Sequence, residues 1–130
     1  MMKYSEITER IIGCAMKVHR ELKSGFQEYI YQRALEIELL KAGLKFIREY
    51  EMPVYYSGEK IGIRKVDFFV EGKIMVELKA VSELEDVHLA QALNYLEASG
   101  HKIGLLINFG TKSLQFKRLH NKKVNPLSSQ

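Results

Sequence analysis

Apolar residues recur at helical spacing through the first third of the chain. Ile7, Ile11, Ile12, Cys14, Ala15 and Val18 predict an amphipathic helix that Ser5 can cap and that ends before Ser24-Gly25. A second helix is expected from a start near Gly25, with its apolar run through Ile30, Ala34, Leu35, Ile37, Leu39 and Leu40. Ala42-Gly43 closes it, Gly43 suiting the left-handed position after a helix. The pattern then becomes that of strands. Phe46 to Tyr56 reads as one, with Pro53 arguing for an edge position or a break near its end. Ser57-Gly58-Glu59-Lys60 is a turn, and Ile61 to Val70 returns as the next strand. With a third strand after Gly72, the simplest arrangement is an antiparallel meander.

The stretch from Arg64 to Lys79 joins two apolar runs at Glu71-Gly72, a β-hairpin interrupted by charge at Asp67, Glu77 and Lys79. Strand alternation puts Glu77 and Lys79 on one face and Ile74, Val76 and Leu78 on the other. Buried charge is costly unless paired or bound to metal, which leaves two readings. One is a hard-cation site, since two carboxylates suit Mg²⁺ and a nearby Lys can serve water or phosphate. The other is a half-exposed Glu77/Lys79 ion pair worth about 0–1 kcal/mol. The register separates them. A two-residue turn sends Asp67 and Glu77 to opposite faces, whereas a three-residue loop or bulge, with Gly72 left-handed after a type I turn, gives the even register a shared metal needs, and the same loop placed one residue later sets Asp67 directly across from Glu77. The bulged loop is the expected one.

Beyond the hairpin, Ser82-Glu83-Leu84-Glu85 has the form of a capping box opening a helix that Ser99-Gly100 closes. Leu89, Ala92, Leu93 and Leu96 form its core stripe. His88, Gln91 and Tyr95 share a different face, within about 60° of one another. Lys102 to Asn108 follows as a strand, parallel to the third and reached by a right-handed crossover. Leu114 to Leu119 can add a last strand, and the tail is expected to fray from about residue 121, through Asn125-Pro126-Leu127-Ser128-Ser129-Gln130.

At 130 residues the chain is expected to be a single domain over residues 1–130. Its 46% hydrophobic and 28% charged content is that of a globular protein. The net charge of +4 permits an anionic partner without demanding one. Cys14 is the only cysteine, excluding an internal disulfide and a Cys-based zinc site, and is expected to be a buried inert thiol. With no signal-peptide pattern and no apolar run of membrane-spanning length, the reading is a cytoplasmic protein without a membrane partner.

The order helix, helix, three strands, helix, strand, with Asp67 ahead of Glu77-Leu78-Lys79, resembles the PD-(D/E)xK nuclease superfamily. Gly25-Phe26-Gln27-Glu28-Tyr29-Ile30-Tyr31 resembles the signature of its GxxExxY family, with Gly25, Glu28 and Tyr31 at the named positions. Gln91 and Tyr95 supply a Q-x-x-x-Y pair in the following helix. Val66 stands where the superfamily label has proline. The resemblance spans roughly residues 5 to 119 and implies an α/β fold with a restriction-endonuclease-like core: two N-terminal helices, the meander, then a helix and a parallel strand in a mixed central sheet. It also implies roles. Asp67 and Glu77 would ligate Mg²⁺ or Mn²⁺, with the Leu78 carbonyl as a third ligand and Glu28 binding directly or through water. Lys79 would contact the scissile phosphate and the attacking water, and Gln91 and Tyr95 would orient catalytic groups or the strand.

The leading reading is therefore a Mg²⁺-dependent nuclease hydrolysing phosphodiester bonds in DNA. A binding module that keeps the fold to hold nucleic acid or protein is the alternative. A homodimer, pairing the Phe68/Phe69 strand or the Phe46 to Tyr56 edge between subunits, is a third. Lys112, Lys117, Arg118, Lys122 and Lys123 are either a solvated end or a hold on a phosphate backbone. Tyr31 reads as packing rather than chemistry.

Overall fold

Two helices lead into a sheet in the computed structural model, which describes residues 2–124. The elements are α1 (Tyr4–Leu22), α2 (Glu28–Lys41), β1 (Phe46–Tyr56), β2 (Glu59–Val70), β3 (Ile74–Lys79), α3 (Asp86–Ser99), β4 (Ile103–Asn108) and β5 (Gln115–His120). The strands lie side by side in sequence order. All neighbours are antiparallel except β3 and β4, which run parallel on either side of α3 in the chain. This is the mixed α/β architecture of a restriction-endonuclease-like core.

The sheet carries an apolar layer on each face. On one, Ile7 and Ile11 of α1 and Leu35 and Leu39 of α2 pack with Phe68, Val76, Leu78, Leu105 and Ile107. On the other, Ala92 and Leu96 of α3 pack with Met52, Val66, Met75 and Leu106. Each large side chain buried in these layers contributes about 1.5–3 kcal/mol. Because both faces of β3 and β4 are covered, their sequences are nearly continuous apolar runs rather than alternating ones.

The β2–β3 hairpin has the expected offset. Val70 pairs with Ile74 and Phe68 with Val76, leaving the three-residue loop Glu71-Gly72-Lys73. Its turn differs from the expected type I: Glu71 as well as Gly72 has positive φ, at 55° and 65°. A non-glycine residue there needs support, and Glu71 has it, donating its N–H to the Lys45 carbonyl at 2.8 Å and accepting the Lys45 N–H on Oε2 at 2.6 Å.

One feature has no sign in the periodicity. In regular strands, residues two apart share a face, yet Phe46 and Phe68 belong to the α1/α2 layer while Tyr50, Met52 and Val66 belong to the α3 layer. Both strands change face at Glu49 and Asp67, the position missing from the β1–β2 ladder, where Glu49 has φ 55°.

Several expectations are corrected. Lys3, not Ser5, precedes α1, because Tyr4 packs inward with Lys73 against its ring and draws the helix back. α3 begins at Asp86 rather than Ser82. Val81 is bonded to Asn108 and Leu84 to Gln115, holding this segment out of the helix as a bent loop, and the helix is capped by His88 Nδ1 accepting the Glu85 N–H at 2.9 Å. Cys14 is half-buried rather than buried, its thiol 3.5 Å from the Glu38 carbonyl and raised in pKa, mainly by desolvation. Phe68 and Phe69 lie in an interior strand and are buried, so they cannot pair two subunits; β1 is a true edge. Asn121 does not fray: its side chain donates to the Leu96 and His101 carbonyls at 3.1 and 2.8 Å. The tail from 125 to 130 lies outside the described residues. No described helix is long and apolar enough to cross a membrane.

Candidate active site

The carboxylates meet where β2 and β3 stop pairing. The ladder ends at Phe68–Val76, so the Leu78 N–H lacks a strand partner. Asp67 Oδ2 accepts it at 2.8 Å, while Oδ1 accepts from Gln32 Nε2 of α2 at 2.9 Å. A carboxylate here thus completes the backbone hydrogen bonding of β3 while being fixed from the neighbouring layer. Burial nevertheless raises the Asp67 pKa, outweighing the lowering by these bonds and by Arg64 and Lys79.

Glu77 lies one strand over on the α3 side, 5% exposed. Its partner is Arg64, with Nη2 3.2 Å from Oε2, not Lys79. The alternative reading, a Glu77/Lys79 ion pair, has no such contact within 4 Å among the described residues. Desolvation lifts the Glu77 carboxyl to about pH 8, with Asp67 and Glu28 adding to the rise and Arg64 and Lys79 opposing it. A carboxyl whose pKa rises on folding contributes most stability while protonated. That contribution is whole below its ordinary value of 4.5 and lost as pH climbs through about 8. Denaturant unfolding in chelator is therefore expected to show lower stability at pH 9 than at pH 6, by up to roughly 2.5 kcal/mol. Glu77→Gln should flatten the difference.

Glu28 opens α2 and reaches the same group from solvent. Its pKa is raised, first by desolvation and then by Asp67, with Lys79 and Arg64 lowering it. The turn that delivers it is tied by Tyr31, which is wholly buried. The Tyr31 hydroxyl donates to the Lys23 carbonyl and accepts the Phe26 N–H at 3.2 Å, and its ring stacks on Phe109 at 4.7 Å. Tyr31 is a structural fastener. Tyr31→Phe should cost about 1–2 kcal/mol in thermal unfolding, since two polar groups lose a buried partner.

On α3, Gln91 donates to the Tyr95 hydroxyl at 3.3 Å, and the Tyr95 ring lies under the Arg64 guanidinium at 4.4 Å. Arg64, Glu77, Lys79, His88, Gln91 and Tyr95 line one recess with no room for a water molecule among them. The structure thus draws Glu28, Asp67, Glu77 and Lys79 together electrostatically, with Gln91 and Tyr95 on the wall opposite Glu77. Of the basic set, Lys117 and Arg118 are consecutive in β5 and face opposite sides, and Lys123 lies 3.7 Å from Glu97.

Two site residues escaped the sequence reading. Gln32 had a signal, one helical turn after Glu28 and so on its face. Arg64 had none, because a regular strand would set it opposite Asp67.

The family comparison fits this restriction-endonuclease-like fold: the model of the PD-(D/E)XK nuclease superfamily matches residues 5–119. The chain belongs to that superfamily. Comparison with curated proteins and with solved structures gives no match.

Proposed function

We propose that this protein is a divalent-metal-dependent nuclease that hydrolyses phosphodiester bonds in DNA, one domain in extent and of the GxxExxY type. The observation carrying the reading is the convergence of three carboxylates and Lys79 at the end of β3, each altering the charge state of another. The donor set fits Mg²⁺ or Mn²⁺: all ligands are oxygens, and Glu77 Oε1 is buried without a hydrogen-bond partner. Among the described residues no three His, Cys, Asp or Glu side chains form a metal cluster by themselves. Mg²⁺ takes one or two carboxylates and keeps water and phosphate for the rest. Asp67, Glu77 and the Leu78 carbonyl would hold the ion, with Glu28 at its outer side. When bound, the ion polarises the phosphodiester and acidifies water. The chain's own residues do the remainder. Lys79 places its ammonium where charge grows on phosphate, and Gln32 and the Leu78 N–H fix the angle of Asp67. Gln91 and Tyr95 orient the strand from α3. The tight turn after Gly25, held by Tyr31, supports the GxxExxY assignment.

Cleavage of labelled single- and double-stranded DNA in Mg²⁺ and in Mn²⁺ tests the proposal, with Glu77→Ala purified in parallel. Metal-dependent cutting that the variant lacks is the expected result. Equal cutting by both proteins would mark a contaminant. Binding without cutting by the folded wild type would replace this reading with the binding module.

A further inference from the structure

The contact between Arg64 and Glu77 is not built like a permanent ion pair. A guanidinium and a carboxylate that are locked together form a fork of two parallel hydrogen bonds. Here only Nη2 and Oε2 meet, at 3.2 Å, while Arg64 Nε and Glu77 Oε1 are both buried and without a hydrogen-bond partner. The atoms left over are those a second bond of the fork would use. Asp67 shows the contrast, with both oxygens engaged at 2.8 and 2.9 Å.

Arg64 has a second hold that does not depend on Glu77. Its guanidinium lies over the Tyr95 ring at 4.4 Å, and the Tyr95 hydroxyl is bonded by Gln91. Cation–π stacking leaves the edge N–H groups of a guanidinium free for another acceptor. Glu77, by contrast, has no other cation within 4 Å among the described residues, and a buried carboxylate with no counter-charge is strongly destabilising. When Glu77 is ionised a cation must therefore sit against it, and in this structure that cation is Arg64, in a recess with no room for a water molecule.

Resting on the metal-dependent reading above, we propose that Arg64 is an exchangeable counter-ion. It neutralises Glu77 while no divalent cation is bound and releases the carboxylate when one arrives. Held by Tyr95, it then turns its freed N–H groups to a phosphate oxygen of the DNA strand. Metal binding and substrate positioning are coupled through this one side chain. Arg64 is a positioning residue toward the metal and a contact residue toward the phosphate.

Mn²⁺ titration followed by the electron paramagnetic resonance of the free ion tests this on the full chain, with wild type, Arg64→Gln, Arg64→Lys and Glu77→Gln. Wild type should bind Mn²⁺ and Glu77→Gln should not. Arg64→Gln should bind roughly fivefold tighter than wild type or better, since the ion no longer displaces a competitor. Arg64→Lys keeps a competing charge and should bind near wild-type affinity, but with a raised KM for DNA because the stacked planar donor is lost. In ¹⁵N NMR of the wild type, the Arg64 Nε–Hε resonance should move as Mg²⁺ saturates the protein. If Arg64→Gln binds Mn²⁺ no tighter while Glu77→Gln still abolishes binding, the exchange is overturned and the metal site stands. Absence of Mn²⁺ binding by wild type overturns both. Should Arg64→Gln fail to fold, an unmoved Nε–Hε resonance at saturating Mg²⁺ is the overturning result.

Discussion

Lys79→Ala is expected to lower phosphodiester cleavage by roughly 10²- to 10⁴-fold, the scale on which positioned acid–base and charge-stabilising groups act. Its unfolding midpoint should move by no more than about 2 °C, as for a substitution well below 1 kcal/mol. The separation follows from where Lys79 stands. It is the last residue of β3, half-exposed, and forms no ion pair within 4 Å among the described residues. Arg64, not Lys79, balances Glu77, so removing the Lys79 ammonium strands no buried charge. What it takes away is a cation beside three carboxylates, a position useful only when a phosphate carries charge between them. Single-turnover cleavage beside calorimetry reads both quantities. If Lys79→Ala unfolds the protein instead, the ammonium is structural and the catalytic assignment fails.

Gly110→Ala is expected to destabilise by about 3 kcal/mol or more, without touching a carboxylate. A Cβ on Gly110 would lie 2.2 Å from the Val81 carbonyl oxygen, 2.5 Å from its nitrogen and 2.6 Å from the Ala80 carbonyl carbon. All three are backbone atoms, so no rotamer change relieves the clash. Nor can the backbone withdraw. Asn108 Nδ2 donates to the Val81 carbonyl at 3.0 Å, and its Oδ1 accepts the Val81 and Gly110 N–H groups at 2.9 and 3.1 Å. The Phe109 N–H donates to the Lys79 carbonyl at 2.9 Å. This knot begins at Lys79, so the variant should lose cleavage along with stability. Urea unfolding with an unchanged slope and a lower midpoint identifies the loss as one of stability. A midpoint within error of wild type would show that the 80–82 segment yields freely.

Features set by local chemistry were legible in the sequence. The Phe46–Tyr56 strand, the hairpin offset at Gly72 and the shared face of Gln91 and Tyr95 each follow from neighbours a few residues apart. Asp67, Glu77 and Lys79 stood out for the same reason, as charges standing in apolar strands, whereas Glu28, at the start of α2, was singled out only by the GxxExxY resemblance. What escaped the reading depends on contacts distant along the chain. The change of face at Glu49 and Asp67 occurs in two strands at once and breaks the alternation on which strand reading rests. Arg64 and Asp67 are three apart, so a regular strand would oppose them; the change of face brings both toward Glu77. Gln32 depends on α2 docking beside a strand 35 residues further on. The start of α3 was misplaced because Asn108 and Gln115 from later strands hold the segment that local capping chemistry would have coiled.

The irregularities of β1 also bear on how the molecule behaves when crowded with copies of itself. An edge strand is a template for aggregation in proportion to its run of evenly spaced free donors and acceptors. In β1 that run is broken at Glu49 by its positive φ, at Pro53 by the missing N–H, and between Val54 and Tyr55 by a register shift. An incoming strand meets only fragments too short to seed a growing ladder. The outer strand beside the candidate site can therefore expose Ile47, Tyr55 and Tyr56 and still resist fibril formation.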